Sequence, residues 1–540
     1  MKNRILRILA LILACLFLTG CGELSGPAAE LLEAVQQESG EDYVTFSEMV
    51  YTRPDLEEME KVLDKACQAA ADDNFVKILT GIYDFYDAYD AFDTSYALAD
   101  IHYSADLTDA HWEEEYNFCV TMAPQVDAML EELYYALAKS PCLDRLEGED
   151  YFGPGYFDSY QGQNLWDEEF TALLEKEAQL VSRYYELSDL GNSYYPGSEE
   201  YYEACYEDMV QVLAELVPVR REIARYWGYE DFAQFAADNY YYRDYDLEVV
   251  EDYLGRIREE LVPLYVRFNE SFDWSDAFVP VTEERTYDWL RGCAMKMGGS
   301  VAEAFRIMDR GGLYDISYGE NKYPSSFEMY IVGYQVPFVF LCPTQTEYDH
   351  LTFAHEFGHF CNDYVSWGSY AGMDVQEFFS QGMEYLALCY GEDTQRLSQL
   401  KMAESLAVYV EQAAFVVFET ELYRLPEEEL TVEGIRTLYE RVAGEFGFGS
   451  IGFDPREFVT ITHFFTDPMY ILSYVVSNDA AMQLYQLEKQ TPGAGLACFE
   501  ENLGTEEYFF LSFLNSAGLE SPFTPNRLEQ VKLTFEEILP

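Results

Sequence analysis

The segment Phe353-Ala354-His355-Glu356-Phe357-Gly358-His359 constrains this chain more than any other. Two imidazoles four positions apart stand one helical turn apart, so on a helix they project from the same face. Their ring nitrogens can then grip one metal ion, with the Glu356 carboxylate beside the remaining, water-holding position. The chain has only six histidines, which makes a chance arrangement of this kind uncommon. The plainer alternative is a helical histidine pair satisfied by its neighbours.

Two histidines do not hold such an ion alone; a third protein ligand is needed, with one position left for water. After a loop-like stretch with Trp367-Gly368 and Ala371-Gly372, the run from Met373 to Leu386 suits a second helix. Glu377 follows His359 at a separation that lets this helix fold back on the first, and a His-His-Glu site results. Glu384, two helical turns beyond Glu377 on the same face, is placed to accept a proton from a ligand imidazole. Asp374 is the rival third ligand, although its place at the helix start favours a capping role.

The 540 residues carry 33 basic and 99 acidic side chains, a net charge of -66. That excess excludes nucleic acid as a partner, since nucleic acid needs a basic footprint. The chain is 49% hydrophobic and 16% aromatic, enough to bury a large core despite the charge. From about residue 41 the apolar residues recur at helical spacing, as in Met59 to Ala71, Leu165 to Leu187, and Tyr201 to Trp227, the last ended by Gly228. The expected fold is mainly α: one large helical body over 41–540, in two lobes, with an N-terminal lobe over about 41–200 and a catalytic part over about 200–540. The exception to the helical period is Ser326 to Val332 and Val336 to Leu341 around Gly333, which reads as a hairpin of a small sheet just before the metal helix. Asp349 is the expected N-cap of that helix. A strand beside it either hydrogen-bonds an extended peptide by edge addition or simply packs.

Residues 1–20 read as an address. Lys2, Arg4 and Arg7 precede the apolar run Ile8 to Leu18, which is too short for a stable membrane span. The run ends in Leu18-Thr19-Gly20-Cys21, which resembles the bacterial lipoprotein cleavage box. The resemblance implies cleavage before Cys21, a lipidated Cys21 thiol and an extracytoplasmic protein anchored to the cell membrane, with residues 21–40 as anchor and tether. A plain secretory signal is the alternative. Of eleven cysteines, Cys15 leaves with the signal and Cys21 takes the lipid, so the odd remainder has at least one free thiol.

His355-Glu356-Phe357-Gly358-His359 with Glu377-Phe378-Phe379-Ser380-Gln381 and Glu384 resembles the zinc signature of the thimet oligopeptidase and oligoendopeptidase F family. Asp349 stands where that family often has an acid. Pro337 to Leu341 is similar to its substrate-binding edge strand, and Ala224 to Tyr229 and Tyr508 to Gly518 are similar as well. The likeness covers roughly residues 200–540. The third ligand comes earlier here than is usual in the family, so the loop from Cys361 to Gly372 is shortened. Lys322 to Phe327 matches the family's glycine-containing run only loosely.

The resemblance implies one Zn2+ on His355, His359 and Glu377, with Glu384 supporting a ligand imidazole and Glu356 as general base. It also implies that His463, Tyr470 and Tyr474 bind substrate and the oxyanion, and that a deep cleft between lobes admits oligopeptides. Asp467-Pro468 reads as N-cap and first residue of a helix on which Tyr470 and Tyr474 share a face. The expected activity is that of a zinc metalloendopeptidase. The competing readings are a catalytically silent peptide-binding lipoprotein, which would have no need of Glu356, and a zinc aminopeptidase. His350, His102 and His111 read as structural or surface residues.

Overall fold

The structure, a computed structural model, describes residues 44–148, 151–160, 168–191, 194, 197–272, 279–368, 371–505 and 507–539. The signal, Cys21 and tether expected at the N-terminus lie outside these residues. The described part is mainly helical with one three-stranded sheet, as the sequence predicts.

The first helices form a bundle with a core of its own. Helix α1 (Leu56–Ala70) buries Met59, Leu63, Ala66 and Ala70, a stripe at helical spacing that faces α2 (Phe75–Ala105) and α3 (Ala110–Leu137). Each of the three starts at a side-chain cap: Asp55 accepts from Glu58 N, Asn74 from Lys77 N, and Asp109 from His111 N and Trp112 N. Such a cap satisfies a backbone donor that the helix leaves open and is worth about 1 kcal/mol. Phe75, Ile82, Phe85, Leu133 and Leu137 complete this core.

A second, larger core holds the remainder. Helices α4 (Glu168–Gly191) and α5 (Glu199–Tyr226) enter it as a hairpin. The sheet follows, with β1 (Tyr314–Asp315), β2 (Phe327–Ile331) and β3 (Val336–Phe340) in the order β1-β3-β2. β3 is parallel to β1 and antiparallel to β2, with Phe327 opposite Phe340 and Ile331 opposite Val336. All five residues of β3 are buried, which is why it reads as an unbroken apolar run. The edge strand beside the metal helix is therefore β2, and not Pro337 to Leu341. The family comparison pointed to the wrong member of the hairpin, because β1, only two residues long, covers the far side of β3.

The hairpin turn is tied to the first bundle. Gly333 N donates to Thr94 Oγ1 of α2 at 2.7 Å, and a Cβ on Gly333 would come within 2.6 Å of that oxygen. Val50 N donates to Tyr334 Oη at 2.8 Å, and Tyr323 N to the Ser104 carbonyl at 2.8 Å.

Two central helices follow, α6 (Tyr348–Ser366) and α7 (Met373–Tyr390), buried on nearly every face. Asp349 lies inside the first turn of α6 and does not cap it. Its carboxylate accepts from Thr344 N and Oγ1 and from Gln345 N, so it fastens the loop that leads from the sheet to the helix. Helices α8 (Gln395–Ala407), α9 (Ala413–Leu422) and α10 (Leu472–Gln490) pack around this pair. The cysteines from Cys67 to Cys498 are free thiols. Among the described residues no helix is long and apolar enough to cross a membrane.

Candidate metal centre

The site arises where α6 and α7 touch. A Cβ on Gly358 would sit 2.3 Å from the Phe379 carbonyl oxygen and 2.6 Å from Ser380 Cα. Glycine is thus the residue that lets the two backbones meet here. One turn back from the contact, α7 delivers Glu377 to the face of α6 that carries His355 and His359.

The three ligand atoms lie within 4.8 Å of one another. Glu377 Oε2 is 3.6 Å from His355 Nε2 and 4.0 Å from His359 Nε2. Donors around a tetrahedral zinc with bonds of roughly 2.1 Å are about 3.4 Å apart, so this set fits such an ion with small adjustments. The imidazole–carboxylate chemistry suits zinc as well. Asp374 is no competitor: its Oδ2 accepts from Tyr245 Oη at 2.7 Å. That bond also takes the place of the capping role its position suggests.

Behind the ligands stands a polar layer. His355 Nδ1 lies 2.9 Å from Glu384 Oε1, a bond that leaves Nε2 free to face the site. Glu384 Oε2 in turn lies 2.7 Å from Lys401 Nζ of α8, a side chain only 3% exposed. Burial alone would raise the Glu384 carboxyl, but Lys401 and His355 together hold it below the usual range. Ser380 Oγ donates to Glu377 Oε2 at 2.9 Å.

Local fields divide the two histidines. Burial pulls His355 down, yet Glu384, Glu356 and Glu377 outweigh it and hold the ring up at about 9. His359, with weaker carboxylate support, is pushed by burial to about 4. Burial, aided by the charges of Glu377 and Glu384 and opposed by His355, raises Glu356 to about 7.

His463, Tyr470 and Tyr474 come together beside Glu377. The His463 ring stacks on Tyr470 at 4.9 Å and lies 5.9 Å from Tyr474, and the two tyrosine rings are 5.1 Å apart. Tyr470 Oη donates to Glu377 Oε1 at 3.3 Å, which ties this cluster to the third ligand. Burial, reinforced by the Glu377 charge, raises both phenols, so they stay protonated and able to donate. The helix expected from Asp467 begins only at Leu472. Met469 has φ 67°, a left-handed conformation that costs a non-glycine residue about 1–3 kcal/mol. Tyr470 therefore stands in a strained turn, whereas Tyr474 lies in the first turn of α10.

Several residues at the site escape sequence reading. Lys401, Arg220, Arg243, Tyr245 and Glu419 each belong to helices or connections far along the chain. Arg220 is fully buried and donates to the Phe464 and Phe465 carbonyls beside His463. Only Ser380 carried a signal, as the serine one helical turn beyond Glu377. His350, by contrast, lies where a structural histidine should: its Nδ1 is 3.1 Å from Thr286 Oγ1 and its ring stacks on Trp289 at 4.9 Å.

Comparison with known proteins bears on the fold that carries these residues. Residues 46–164 match the Peptidase M3 N-terminal domain, a stretch that motif reading could characterise only as helical. No curated protein matches the sequence. Among solved structures, the fold is similar to PZ peptidase A with an inhibitor, at a TM-score of 0.78 and 19% identity over 92% of this chain and 99% of that one. It is also similar to a candidate oligoendopeptidase F from Bacillus anthracis str. Ames, at 0.73 and 20% identity over 92% and 98%. Oligoendopeptidase-F from Enterococcus faecium follows at 0.55 and 14% identity over 89% and 96%. These likenesses show that the chain has the helical fold of oligoendopeptidase F and its structural relatives, and residues 46–164 match the N-terminal domain of M3 peptidases.

Proposed function

We propose that this protein is a zinc-dependent endopeptidase for oligopeptides, anchored by a lipid on Cys21 to the outer side of a bacterial cell membrane. The convergence of His355, His359 and Glu377, with Glu356 beside them and Glu384 holding the His355 ring, carries the catalytic part of this reading. When bound there, zinc supplies a Lewis acid that polarises the scissile carbonyl and makes water easier to deprotonate.

The protein groups do the rest. Glu356 accepts the proton of the attacking water and passes it to the leaving amine. The Tyr470 and Tyr474 hydroxyls are the donors for the charge that develops on the carbonyl oxygen, and the His463 imidazole, packed on Tyr470, contributes a further donor to the bound peptide. The free edge of β2 offers backbone groups to an extended peptide, which sets its direction without reading its sequence. Strand addition needs an unfolded segment, in keeping with oligopeptides as substrates.

The test uses a quenched fluorescent peptide pool, including N-terminally blocked members. Cleavage of blocked peptides that is abolished by a chelator, restored by zinc and reduced at least ~10³-fold in Glu356→Gln is the expected result. A wild-type protein that holds zinc yet cleaves nothing in the pool would leave a peptide-binding lipoprotein in its place. Cleavage confined to unblocked peptides would point to an aminopeptidase.

A further inference from the structure

The segment from Tyr241 to Tyr245, between the helix Phe232–Asn239 and the helix Leu247–Glu260, reaches both the Pro468–Met469 turn and the start of α7. Tyr241 Oη donates to the Pro468 carbonyl at 2.9 Å. Tyr245 Oη donates to Asp374 Oδ2 in the first turn of α7, one turn before Glu377. Asp244 accepts from Leu511 N and Ser512 N at 2.9 and 3.1 Å, which fixes the segment to the helix Phe510–Ala517.

Arg243 stands at its centre, with a side chain 1% exposed. Its Nη2 donates to the Met469 carbonyl and to Ser473 Oγ, both at 3.1 Å. Its Nε lies 3.8 Å from Asp374 Oδ2, and the guanidinium carbon lies 4.4 Å from the Tyr241 ring centroid. From α9, Glu419 Oε1 accepts from Met469 N at 2.8 Å. The strained Met469 peptide is thus held from both sides, its carbonyl by Arg243 and its N–H by Glu419.

We propose that Arg243 is a positioning residue for peptide hydrolysis: it keeps the left-handed turn at Met469 in register with the start of α7, and so aims Tyr470 at the metal centre. The inference rests on the zinc peptidase reading given above. The planar guanidinium is suited to the task, because its donors diverge in fixed directions toward the two elements. Burying an ion pair is often no more stabilising than apolar packing of equal volume, so what Arg243 adds is a fixed geometry. A turn in a sparsely populated backbone region persists only where its surroundings over-determine it. Removing one of the two grips lets Met469 relax, and Tyr470 is the next residue.

The experiment measures kcat, KM, zinc content and affinity for a phosphinic peptide, a mimic of the tetrahedral oxyanion. The proteins are the full-length wild type, Arg243→Lys, Arg243→Met, Tyr470→Phe and the two double variants. Arg243→Met is expected to keep one zinc per chain and a KM within about threefold, while kcat and phosphinic-peptide affinity fall roughly 10²-fold, the scale of one lost oxyanion donor. Arg243→Lys is expected to recover about tenfold of that loss. In the Tyr470→Phe background the Arg243 substitutions should cost less than about threefold more, since a residue that acts through Tyr470 cannot be lost twice. If Arg243→Met fails to fold, Arg243→Lys carries the same cycle.

A folded, zinc-loaded Arg243 variant with near wild-type kcat, or losses that multiply in the double variant, would overturn the proposal. Failure of the wild type to cleave any peptide would instead overturn the peptidase reading, and this inference with it.

Discussion

Gly358→Ala tests the contact that creates the metal centre. The added Cβ would lie 2.3 Å from the Phe379 carbonyl oxygen, where ordinary contact begins near 3.4 Å. The difference, 3.4 − 2.3 = 1.1 Å, must be met by moving α6 and α7 apart, since the opposing atom is backbone and not a flexible side-chain end. Such overpacking costs about 1–3 kcal/mol. Zinc–ligand bonds tolerate only about 0.2 Å, so a shift of this size at Phe379 pulls Glu377 out of reach of an ion held by His355 and His359. Two measurements follow the two ways out. Thermal unfolding without metal reports the strain, and competition with a chromogenic chelator reports zinc affinity, expected to fall at least tenfold, about 1.4 kcal/mol. A variant with unchanged melting temperature and unchanged zinc affinity would refute the reasoning, because the helices would then not be in contact at Gly358.

Other perturbations reach different parts of the argument. Lys401→Met removes the cation behind Glu384 and should weaken zinc binding by about 10–100-fold, as loss of an outer partner commonly does; equilibrium dialysis against zinc reads it. His350 is neutral when folded, with burial lowering it from 6.5 to about 4. Its contribution is therefore fully present above about pH 6.5 and is lost as pH falls toward 4, by at most roughly 3 kcal/mol. Urea midpoints at pH 7.0 and 4.5 should differ less in His350→Gln than in the wild type, and an equal difference would remove His350 from the account. Cys21→Ala should abolish palmitate incorporation in cells and release the protein from the membrane fraction, whereas retention of the label would exclude Cys21 as the lipidated residue.

Much of the candidate site is legible in the sequence. The turn spacing of His355 and His359 and the helical run that carries Glu377 and Glu384 depend on local periodicity, which the chain expresses whatever its surroundings. Asp349 and Asp467 show the limit of local reading. Each looks like a helix N-cap, but Asp349 fastens the preceding loop, and Asp467 begins a turn because Met469, two residues on, turns left-handed. A cap competes with whatever else a short carboxylate can reach, and neighbours brought in by folding decide that competition. The hairpin was readable from its β-branched and aromatic runs. Which strand forms the free edge was not, because β1 comes from a two-residue stretch with no strand signal of its own.

The sequence by itself determined the candidate metal-binding helix, the identity of its candidate ligands and the helical class of the body, since each depends on residue types at fixed short spacings, and its composition fixed the acidic net charge. Tertiary structure alone decided the rest: the backbone contact at Gly358, the Lys401 cation behind Glu384, the grip of Arg243 and Glu419 on Met469, and the place of β2 at the sheet edge. These are contacts between separate elements of the fold, several of them far apart along the chain. No local pattern encodes them, because their energy exists only after the packed core has brought the segments within a few ångströms.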